Sequence, residues 1–260
     1  MDRLPKHVRH DRIIKRLTND VAVRISTLAD EFGVTTETVR RDLDELSERG
    51  LLARTYGGAA VRSVAAEPGV HLRAQEHVVE RQRIAALATE EIRPGDVLMI
   101  DAGSTTAHFA HALARQPVEV TVITNSLSVA SRLGVAESIS VILCPGDLRH
   151  TEEGVFGTET IGFLERYHAD LAVIGAGGIT VEEITDADAQ AAAIKRKMIT
   201  RASRSMLLAD HGKFGQTHFA AVCQARDIDV LVTDQPIPTG FADVWKQVRI
   251  ASYPSREAAA

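Results

Sequence analysis

Short apolar runs recur along the last two thirds of the chain, and this repetition limits the fold most strongly. The runs are Val97–Ile100, Val118–Ile123, Ile139–Leu143, Leu171–Ile174, Met206–Leu208 and Val230–Val232. Stretches with the apolar spacing of a helix separate most of these runs. Strands that alternate with helices form a largely parallel sheet. The sequence therefore predicts a Rossmann-like α/β domain in this part of the chain.

Polar or glycine-rich loops follow five of these runs. Ligands of open parallel sheets bind beyond the carboxyl ends of the strands, so these loops are expected to line one pocket. The loop after the first run, Asp-Ala-Gly-Ser-Thr-Thr (101–106), leads into a helix whose N-terminal N–H groups can hold an anion. Lys195 and Lys213 are the cations expected to neutralise that anion. The other predicted ligand-binding residues are Asp101, Gly103, Ser104, Thr105, Thr106, Thr124, Asn125, Ser126, Gly146, Gly175, Gly177 and Asp210.

The N-terminal part follows a different pattern, with helices in place of alternating strands. Apolar residues share one helical face over residues 8–17. Ser26 is expected to cap a short second helix, which Gly33 ends. Thr35 is expected to cap a longer third helix. A short helix, a tight turn with glycine and a longer helix are typical of a helix-turn-helix.

The third helix has the properties of a DNA-recognition helix. Its first turn carries Thr36 and Thr38, and Arg40 and Arg41 lie off its apolar stripe. In this motif the N-terminal part of the helix contacts base edges, and arginines bind guanine or phosphate. Solvated arginines on a three-helix packing unit are the alternative, but the order of elements favours DNA binding. The predicted DNA-binding residues are Thr35, Thr36, Thr38, Arg40, Arg41, Arg54 and Tyr56.

Arg54 and Tyr56 belong to a predicted hairpin around Gly57-Gly58, the wing of a winged helix. The charge follows the same division of the chain. Residues 1–62 hold twelve Lys and Arg against ten Asp and Glu, whereas the remainder has a net charge of −7. We expect a DNA-binding domain at residues 3–62, a linker at 63–74 and a ligand-sensing α/β domain at 75–260.

The segment FGVTTETVRRDLDELSERGLLARTYGGA resembles the N-terminal motif of the DeoR family of bacterial transcriptional regulators. Its hallmarks are T-x-R-R-D-L at residues 38–43 and G-G-A at residues 57–59. The resemblance continues over about residues 75–235, where the family's blocks follow in order: ERQRIA, DAGSTT, TNS, ADLAVIGAGGI, KRKMI, ADHGKFG and DIDVLVTD. It implies a C-terminal domain similar to ribose-5-phosphate isomerase and the CoA transferases. It also implies a repressor of a carbohydrate or polyol operon, released by a phosphorylated sugar or polyol.

Two positions at the predicted pocket rim depart from the family pattern. Pro145-Gly146-Asp147 replaces the usual Gly-Gly pair, and Ala191, beside Gln190, replaces a glutamate. An isomerase that carries a DNA-binding head is the alternative function, and it would need a positioned acid and base. The missing carboxylate at Ala191 counts against it, so no catalytic residue is predicted. A third hypothesis makes the body a dimerisation scaffold only.

The sequence offers weaker support for three other kinds of site. His108 and His111 have no carboxylate or cysteine partner for a metal and are expected on a helix surface. Asp186 and Asp188 resemble an acid–base pair, but acidic residues before a helix are more often capping groups. The segment at 175–178 lacks the third glycine of the dinucleotide fingerprint. We therefore expect neither a metal nor a cofactor.

The remaining expectations concern class and partners. Cys144 and Cys223 are too few for a disulfide scaffold or a cysteine zinc site. No apolar run approaches the roughly 20 residues of a membrane span, and the N-terminus lacks the apolar core of a signal peptide, so a cytoplasmic location is expected. The expected partners are double-stranded operator DNA, the phosphorylated effector and a second copy of the chain, since one helix-turn-helix reads a half-site.

Overall fold

The structure is a computed structural model, and it describes residues 4–19, 22–48, 53–55, 58–60 and 69–251. The chain divides into two compact units, Met1–Pro68 and Gly69–Ala260. The first unit contains α1 (Lys6–Asn19), β1 (Ala22–Arg24), α2 (Ile25–Phe32), α3 (Thr36–Glu48), β2 (Ala53–Thr55) and β3 (Gly58–Ala60). Its strands form an antiparallel sheet in the order β1-β3-β2. The predicted winged helix-turn-helix is confirmed, and β1 is an addition that the sequence did not predict.

Local chemistry sets the helix ends in this unit. Gly33 ends α2 with a φ of 62°, in the left-handed region that favours glycine. The Thr38 N–H donates to Thr35 Oγ1 at 3.2 Å, so Thr35 caps α3 as predicted. The prediction that Ser26 caps α2 is wrong, because the helix begins at Ile25, two residues earlier than predicted, and Arg24 occupies the cap position.

A buried ion pair fastens α1 to α3. The Arg9 guanidinium donates to the Asp42 carboxylate at 2.7 and 2.9 Å, and both side chains are buried. The bonds to Asp42 raise the pKa of Arg9 above its ordinary value, although burial opposes this. Asp42 is the aspartate of the T-x-R-R-D-L motif. This residue therefore holds the helices of the unit together and does not belong to the exposed face of α3.

The second unit is built on a parallel seven-stranded sheet in the order β15-β14-β12-β9-β4-β5-β6. A β7-β8 hairpin and an antiparallel β10-β11-β13 sheet complete it. The helices are α4 (Val70–Arg73), α5 (Val78–Thr89), α6 (Ser104–Leu113), α7 (Leu127–Leu133), α8 (Thr158–Leu164) and α9 (Ala189–Thr200). The strands are β4 (Val97–Ile100), β5 (Val120–Thr124), β6 (Ile139–Leu143), β7 (Asp147–Arg149), β8 (Gly154–Phe156), β9 (Ala169–Gly175), β10 (Gly178–Ile179), β11 (Glu183–Asp186), β12 (Ala202–Leu208), β13 (Ala220–Gln224), β14 (Val230–Thr233) and β15 (Val248–Ile250).

Helices cover both faces of the parallel sheet. Leu98 and Ile100 of β4 pack with residues of α5 and α6 in one apolar cluster. Met99, between them, packs with Ile194 and Met198 of α9 in another. Successive side chains of a strand point to opposite faces, so a strand buried on both sides is a continuous apolar run. The predicted α/β domain with a parallel sheet is confirmed.

The stretch 69–74 was expected to belong to a linker, but in the structure it belongs to the second unit and forms α4. Cys144 and Cys223 are free, and burial raises the pKa of each thiol to about 12. Within the described ranges, no helix is long and apolar enough to cross a membrane.

Candidate functional site

The order of the parallel strands reverses between β4 and β9. From β4 the chain continues to β5 and β6 on one side, whereas β9, β12, β14 and β15 lie on the other side. Such a reversal opens a crevice at the carboxyl ends of the strands, where ligands of these folds bind. Asp101 follows β4, and its carboxylate oxygens accept from the Gly175 N–H at the end of β9 at 3.3 Å. These two predicted site residues therefore bridge the reversal point.

A buried charged cluster surrounds Asp101. Lys195 of α9 is only 4% exposed, and its ammonium group pairs with the Asp101 carboxylate and, at 3.4 Å, with Asp186 Oδ2. Burial lowers the pKa of Lys195, but the two carboxylates outweigh it and raise the pKa above its ordinary value. An anionic ligand would have to compete with both carboxylates for this lysine. Lys195 therefore serves to position Asp101 and Asp186, and it suits an anion less well than the sequence suggests.

A second buried charge, Arg81 of α5, was not predicted. Its Nε and Nη2 lie 3.1 Å from Asp210 Oδ2, and its Nη1 donates to Ser104 Oγ at 3.0 Å and to the carbonyl oxygen of Arg73. Arg81 thus joins the loop after β12, the first turn of α6 and the end of α4. It brings together Ser104 and Asp210, which the sequence predicted separately.

The sequence contains a signal for the burial of Arg81. The residues three, four and seven positions later in α5 are Ile84, Ala85 and Ala88, and all three are buried. This spacing places Arg81 on the inward face of the helix. A charged residue on that face needs a buried partner, because an unpaired buried charge is strongly unfavourable.

The Thr106 hydroxyl shapes the 101–106 loop. Thr106 Oγ1 donates to the carbonyl oxygens of Asp101 and Gly103, at 3.0 Å each. Gly103 has a φ of −173°, which is extended backbone, and a Cβ there would lie 3.2 Å from Thr106 Oγ1. Ser104 and Thr105 begin α6 and are buried. The N–H groups of this first turn have no partner within the helix and are the groups that can bind an anion.

The side chains of the loop after β5 have two kinds of role: some bond only to the protein, and one can also contact a ligand. Thr124 Oγ1 donates to the Ile100 carbonyl at 2.7 Å, and Ser126 Oγ caps α7 by accepting from the Val129 N–H at 3.2 Å. Asn125 Nδ2 donates to the Val155 carbonyl at 3.1 Å. Within the part of the chain that the structure describes, the buried Asn125 Oδ1 has no hydrogen-bond partner. Of the three, Asn125 keeps an acceptor for a ligand.

The other predicted glycines have packing roles. Gly146 has a φ of 150°, and a Cβ there would lie 2.3 Å from Thr160 Oγ1, so this turn requires glycine. The Gly177 N–H donates to the Thr185 carbonyl at 3.0 Å. No contact links Gly146 to the charged clusters among the described residues. Its place in the ligand site stays a prediction.

The loop after β12 carries Lys213 at the end of a short 3₁₀ helix, His211–Lys213. Asp210 Oδ1 caps this helix by accepting from the Gly212 N–H at 3.1 Å. Asp234, which follows β14 and was not predicted, accepts from the His211 N–H at 2.7 Å and contacts His211 Nδ1 at 2.8 Å. Lys213 is half-buried in a loop fixed by two carboxylates.

One of the two departures from the family pattern, Ala191, lies in the first turn of α9. Asp188 caps α9 by accepting from the N–H groups of Gln190 and Ala191 at 2.8 and 2.9 Å, so the capping interpretation is confirmed for this residue. For Asp186 it is wrong, because its carboxylate accepts from the Asp188 N–H and pairs with Lys195.

Burial alone would raise the pKa of Asp188, but the bonds from these α9 N–H groups and Arg149, at 2.6 Å, hold it below its usual value. Arg149 also binds the Gln190 side chain and lies over the Phe156 ring. Arg149 thus ties the β7-β8 hairpin to the start of α9, beside the departure from the family pattern at Ala191.

His108 and His111 lie on α6, the first half-buried and the second exposed. Burial lowers the pKa of His108, and the nearby Arg81 charge adds to this effect. Among the described residues, no group of three or more His, Cys, Asp or Glu side chains is placed to hold a metal ion.

The exposed face of α3 forms a second candidate site. Thr35 and Thr36 are exposed, and the Arg40 and Arg41 side chains are 56% and 77% exposed. Both arginines lie near Glu37, at 3.7 and 3.5 Å. Exposed pairs of this kind are weak, so a phosphate or base can replace Glu37 at little cost.

The remaining predicted DNA-binding residues fall in different places. Thr38 is half-buried, and its hydroxyl lies 2.9 Å from Thr35 Oγ1. Arg54 belongs to β2 of the wing. Tyr56 lies outside the described residues.

A winged helix-turn-helix joined to an α/β unit with a polar crevice at its strand ends defines a class, the ligand-responsive transcriptional regulators. The model of the DeoR-like helix-turn-helix domain matches residues 9–64, and that of the DeoR C-terminal sensor domain matches residues 76–235. The chain belongs to the DeoR family of transcriptional regulators, as its motifs indicate. The resemblance found in the sequence is confirmed.

The relatives include named repressors. The glycerol-3-phosphate regulon repressor of Escherichia coli is 33% identical over 237 residues, which cover 91% of this chain and 94% of the relative. The transcriptional repressor GlcR of Bacillus subtilis is 36% identical over 218 residues, 81% of each chain. Among solved structures, ribose 5-phosphate isomerase A of Methanocaldococcus jannaschii covers 54% of this chain and 56% of its own, with a TM-score of 0.41 and 19% identity. That likeness carries no argument about function.

Proposed function

We propose that this regulator represses a carbohydrate or polyol operon and leaves its operator when a phosphorylated sugar or polyol binds at the reversal point of the sheet. The observation that carries the proposal is the convergence of two buried ion clusters there, Lys195 with Asp101 and Asp186, and Arg81 with Asp210. Charged groups are buried at such cost that they are concentrated at functional sites. The names of the relatives support repression and a phosphorylated effector.

The chemistry of the crevice suits a ligand with one phosphate and several hydroxyls. The free N–H groups of the first turn of α6 accommodate the phosphate, and Lys213 supplies the cation. Asp101 and Asp186 are acceptors for sugar hydroxyls, and the orphaned Asn125 Oδ1 is a third. The cluster lacks a carboxylate at Ala191, which supports sensing over isomerisation.

A ligand screen tests the proposal. Each phosphorylated compound is paired with its parent: glycerol 3-phosphate with glycerol, ribose 5-phosphate with ribose, fructose 1-phosphate with fructose, and glucose 6-phosphate with glucose. We expect at least one phosphorylated member to raise Tm while its parent does not, because a ligand at about 100 times its Kd adds about 2.7 kcal/mol. If every phosphorylated compound changed Tm only as much as its parent, the result would contradict a phosphate site. Turnover of ribose 5-phosphate would support the alternative function, an isomerase.

The recognition face of α3 gives a second prediction. Arg40→Ala and Arg41→Ala should each weaken operator binding, and loss of one phosphate contact should reduce the salt slope by about 0.9 per charge per subunit. Fluorescence anisotropy at several salt concentrations measures both quantities. The control is Arg226→Ala, at an exposed arginine of the second unit, Gly69–Ala260, which we call the sensor unit. This variant should bind the operator as the wild type does. Wild-type affinity in both α3 variants would show that another face reads the DNA.

We also propose that two copies bind a two-fold symmetric operator, because one helix-turn-helix unit reads one half-site. Sedimentation of the protein–operator complex measures the number of copies. A single copy on each operator would contradict the proposal.

A further inference from the structure

The first helix of the sensor unit, α4, is held from two sides by groups that lead to the candidate ligand site. On one side, the Arg81 guanidinium donates to the carbonyl oxygen of Arg73 at the end of α4. On the other, the Val70 N–H donates to the Thr151 carbonyl at 2.8 Å, and the Arg73 guanidinium pairs with Glu152. We call these five residues the α4 latch.

Both sides of the α4 latch continue into ligand-site loops. Arg81 also binds Ser104 in the first turn of α6, and Asp210 after β12. The segment that includes Thr151 and Glu152 continues to Val155, whose N–H donates to the Asn125 carbonyl at 2.7 Å. The docking of α4 therefore depends on three of the loops that form the crevice.

The backbone is strained at two residues close to the contacts of the α4 latch. Among the described residues, the non-glycine residues with a positive φ are His77, at 50°, and Glu153, at 46°. His77 immediately precedes α5, which carries Arg81, and Glu153 adjoins the Glu152 contact. A left-handed conformation is unfavourable for a non-glycine residue and persists only where surrounding contacts hold it. Loss of the α4 latch contacts would let the backbone of His77 and of Glu153 leave the left-handed conformation.

We propose that the α4 latch couples the ligand site to operator affinity. Residues 61–68 connect α4 covalently to the DNA-binding unit, so the position of α4 sets where that connection starts. A phosphate at the first turn of α6 is a stronger acceptor for the Arg81 N–H groups than the neutral Arg73 carbonyl. Effector binding therefore withdraws Arg81 from Arg73, loosens α4 and lowers operator affinity. This inference rests on the proposed release by a phosphorylated effector.

The experiment breaks the latch on the side remote from the phosphate and needs no effector. Full-length wild type first selects its binding sequence from a random DNA library, and Glu152→Gln is then measured on that DNA. We expect operator Kd to rise by roughly fivefold or more, which is typical of coupling between sites. We also expect faster amide hydrogen exchange over residues 69–76. Arg73→Gln should have the same effect, and the double variant should add nothing, because both changes remove one ion pair.

The matched control is Glu165→Gln, which removes an exposed ion pair with Lys197 in the same unit. It should leave operator Kd and the exchange of residues 69–76 unchanged. Wild-type operator affinity in Glu152→Gln would overturn the proposal, whether or not α4 exchanges faster, and so would an equal loss in the control. Failure of wild type to select any DNA sequence would instead contradict the proposed function itself.

Discussion

Lys195→Met is expected to lower the free energy of unfolding by about 3–5 kcal/mol, the usual result of removing one partner from a buried ion pair. The methionine keeps an unbranched side chain only one atom shorter, so most of the loss measures the charge. Asp101 and Asp186 would then face each other in the sheet crevice without the cation that now pairs with both. Urea unfolding followed by circular dichroism measures the change.

The control for this variant is Lys197→Met, two residues further along α9. Lys197 pairs with Glu165 at the surface, and this pair should contribute almost nothing to the unfolding midpoint. Adding Asp101→Asn to Lys195→Met should restore part of the lost stability, because it removes one of the two uncompensated carboxylates. Wild-type stability in Lys195→Met would contradict a buried ion pair between Lys195 and the carboxylates of Asp101 and Asp186.

Lys213→Ala is expected to give a repressor that binds its operator normally but no longer responds to the effector. A phosphate that leaves water needs a charged donor, and a hydrogen bond to a charged group contributes about 1.5–3 kcal/mol. Lys213 lies half-buried in the loop after β12, which hydrogen bonds to Asp210 and Asp234 hold in place, so it is the cation that we propose for the phosphate. Effector affinity should therefore fall by at least about tenfold.

The measurement is operator occupancy against the concentration of the ligand that gives the largest stabilisation in the screen, for wild type and variant at one salt concentration. Since the effector must bind the DNA-incompetent state more tightly to cause release, loss of its binding leaves the protein on DNA. Lys246→Ala, at an exposed lysine of the sensor unit, should behave as the wild type does. Coincident occupancy curves for Lys213→Ala and wild type would show that Lys213 does not bind the effector.

The strands were predictable where apolar residues are uninterrupted. The bounds of β4 and β6 agree with the predicted runs to the residue. The strand β9 begins two residues before its apolar run because exposed Asp170 interrupts the pattern, and β12 begins earlier for the same reason at Ser203. The edge strand β15 is three residues long and only partly buried, so its sequence resembles a loop.

The candidate site was predictable where a polar residue directly follows a strand, as Asp101 does. Arg81 was not predicted because its partner Asp210 lies far away in sequence. Asp186 was interpreted as a capping group, because its ion pair with Lys195 depends on how β11 packs against α9. Thr124 and Ser126 were predicted as ligand contacts, but their hydroxyl oxygens accept from nearby backbone N–H groups, those of Ser126 and Val129 respectively. Short hydroxyl side chains commonly do this. Position along a strand can be inferred from sequence, whereas the partner of a side chain depends on the tertiary fold.

The high thiol pKa values of Cys144 and Cys223 make the native chain suitable for selective fluorescent labelling. Maleimides react with thiolates, and a thiol with a pKa of about 12 is ionised in only about one molecule in 10⁴ at pH 8. An exposed cysteine, with a pKa of about 8.5, is ionised roughly a thousand times more often. Gln75→Cys places such a thiol two residues after α4. A dye at that position would report the environment of α4 in the full-length protein without removal of either native cysteine.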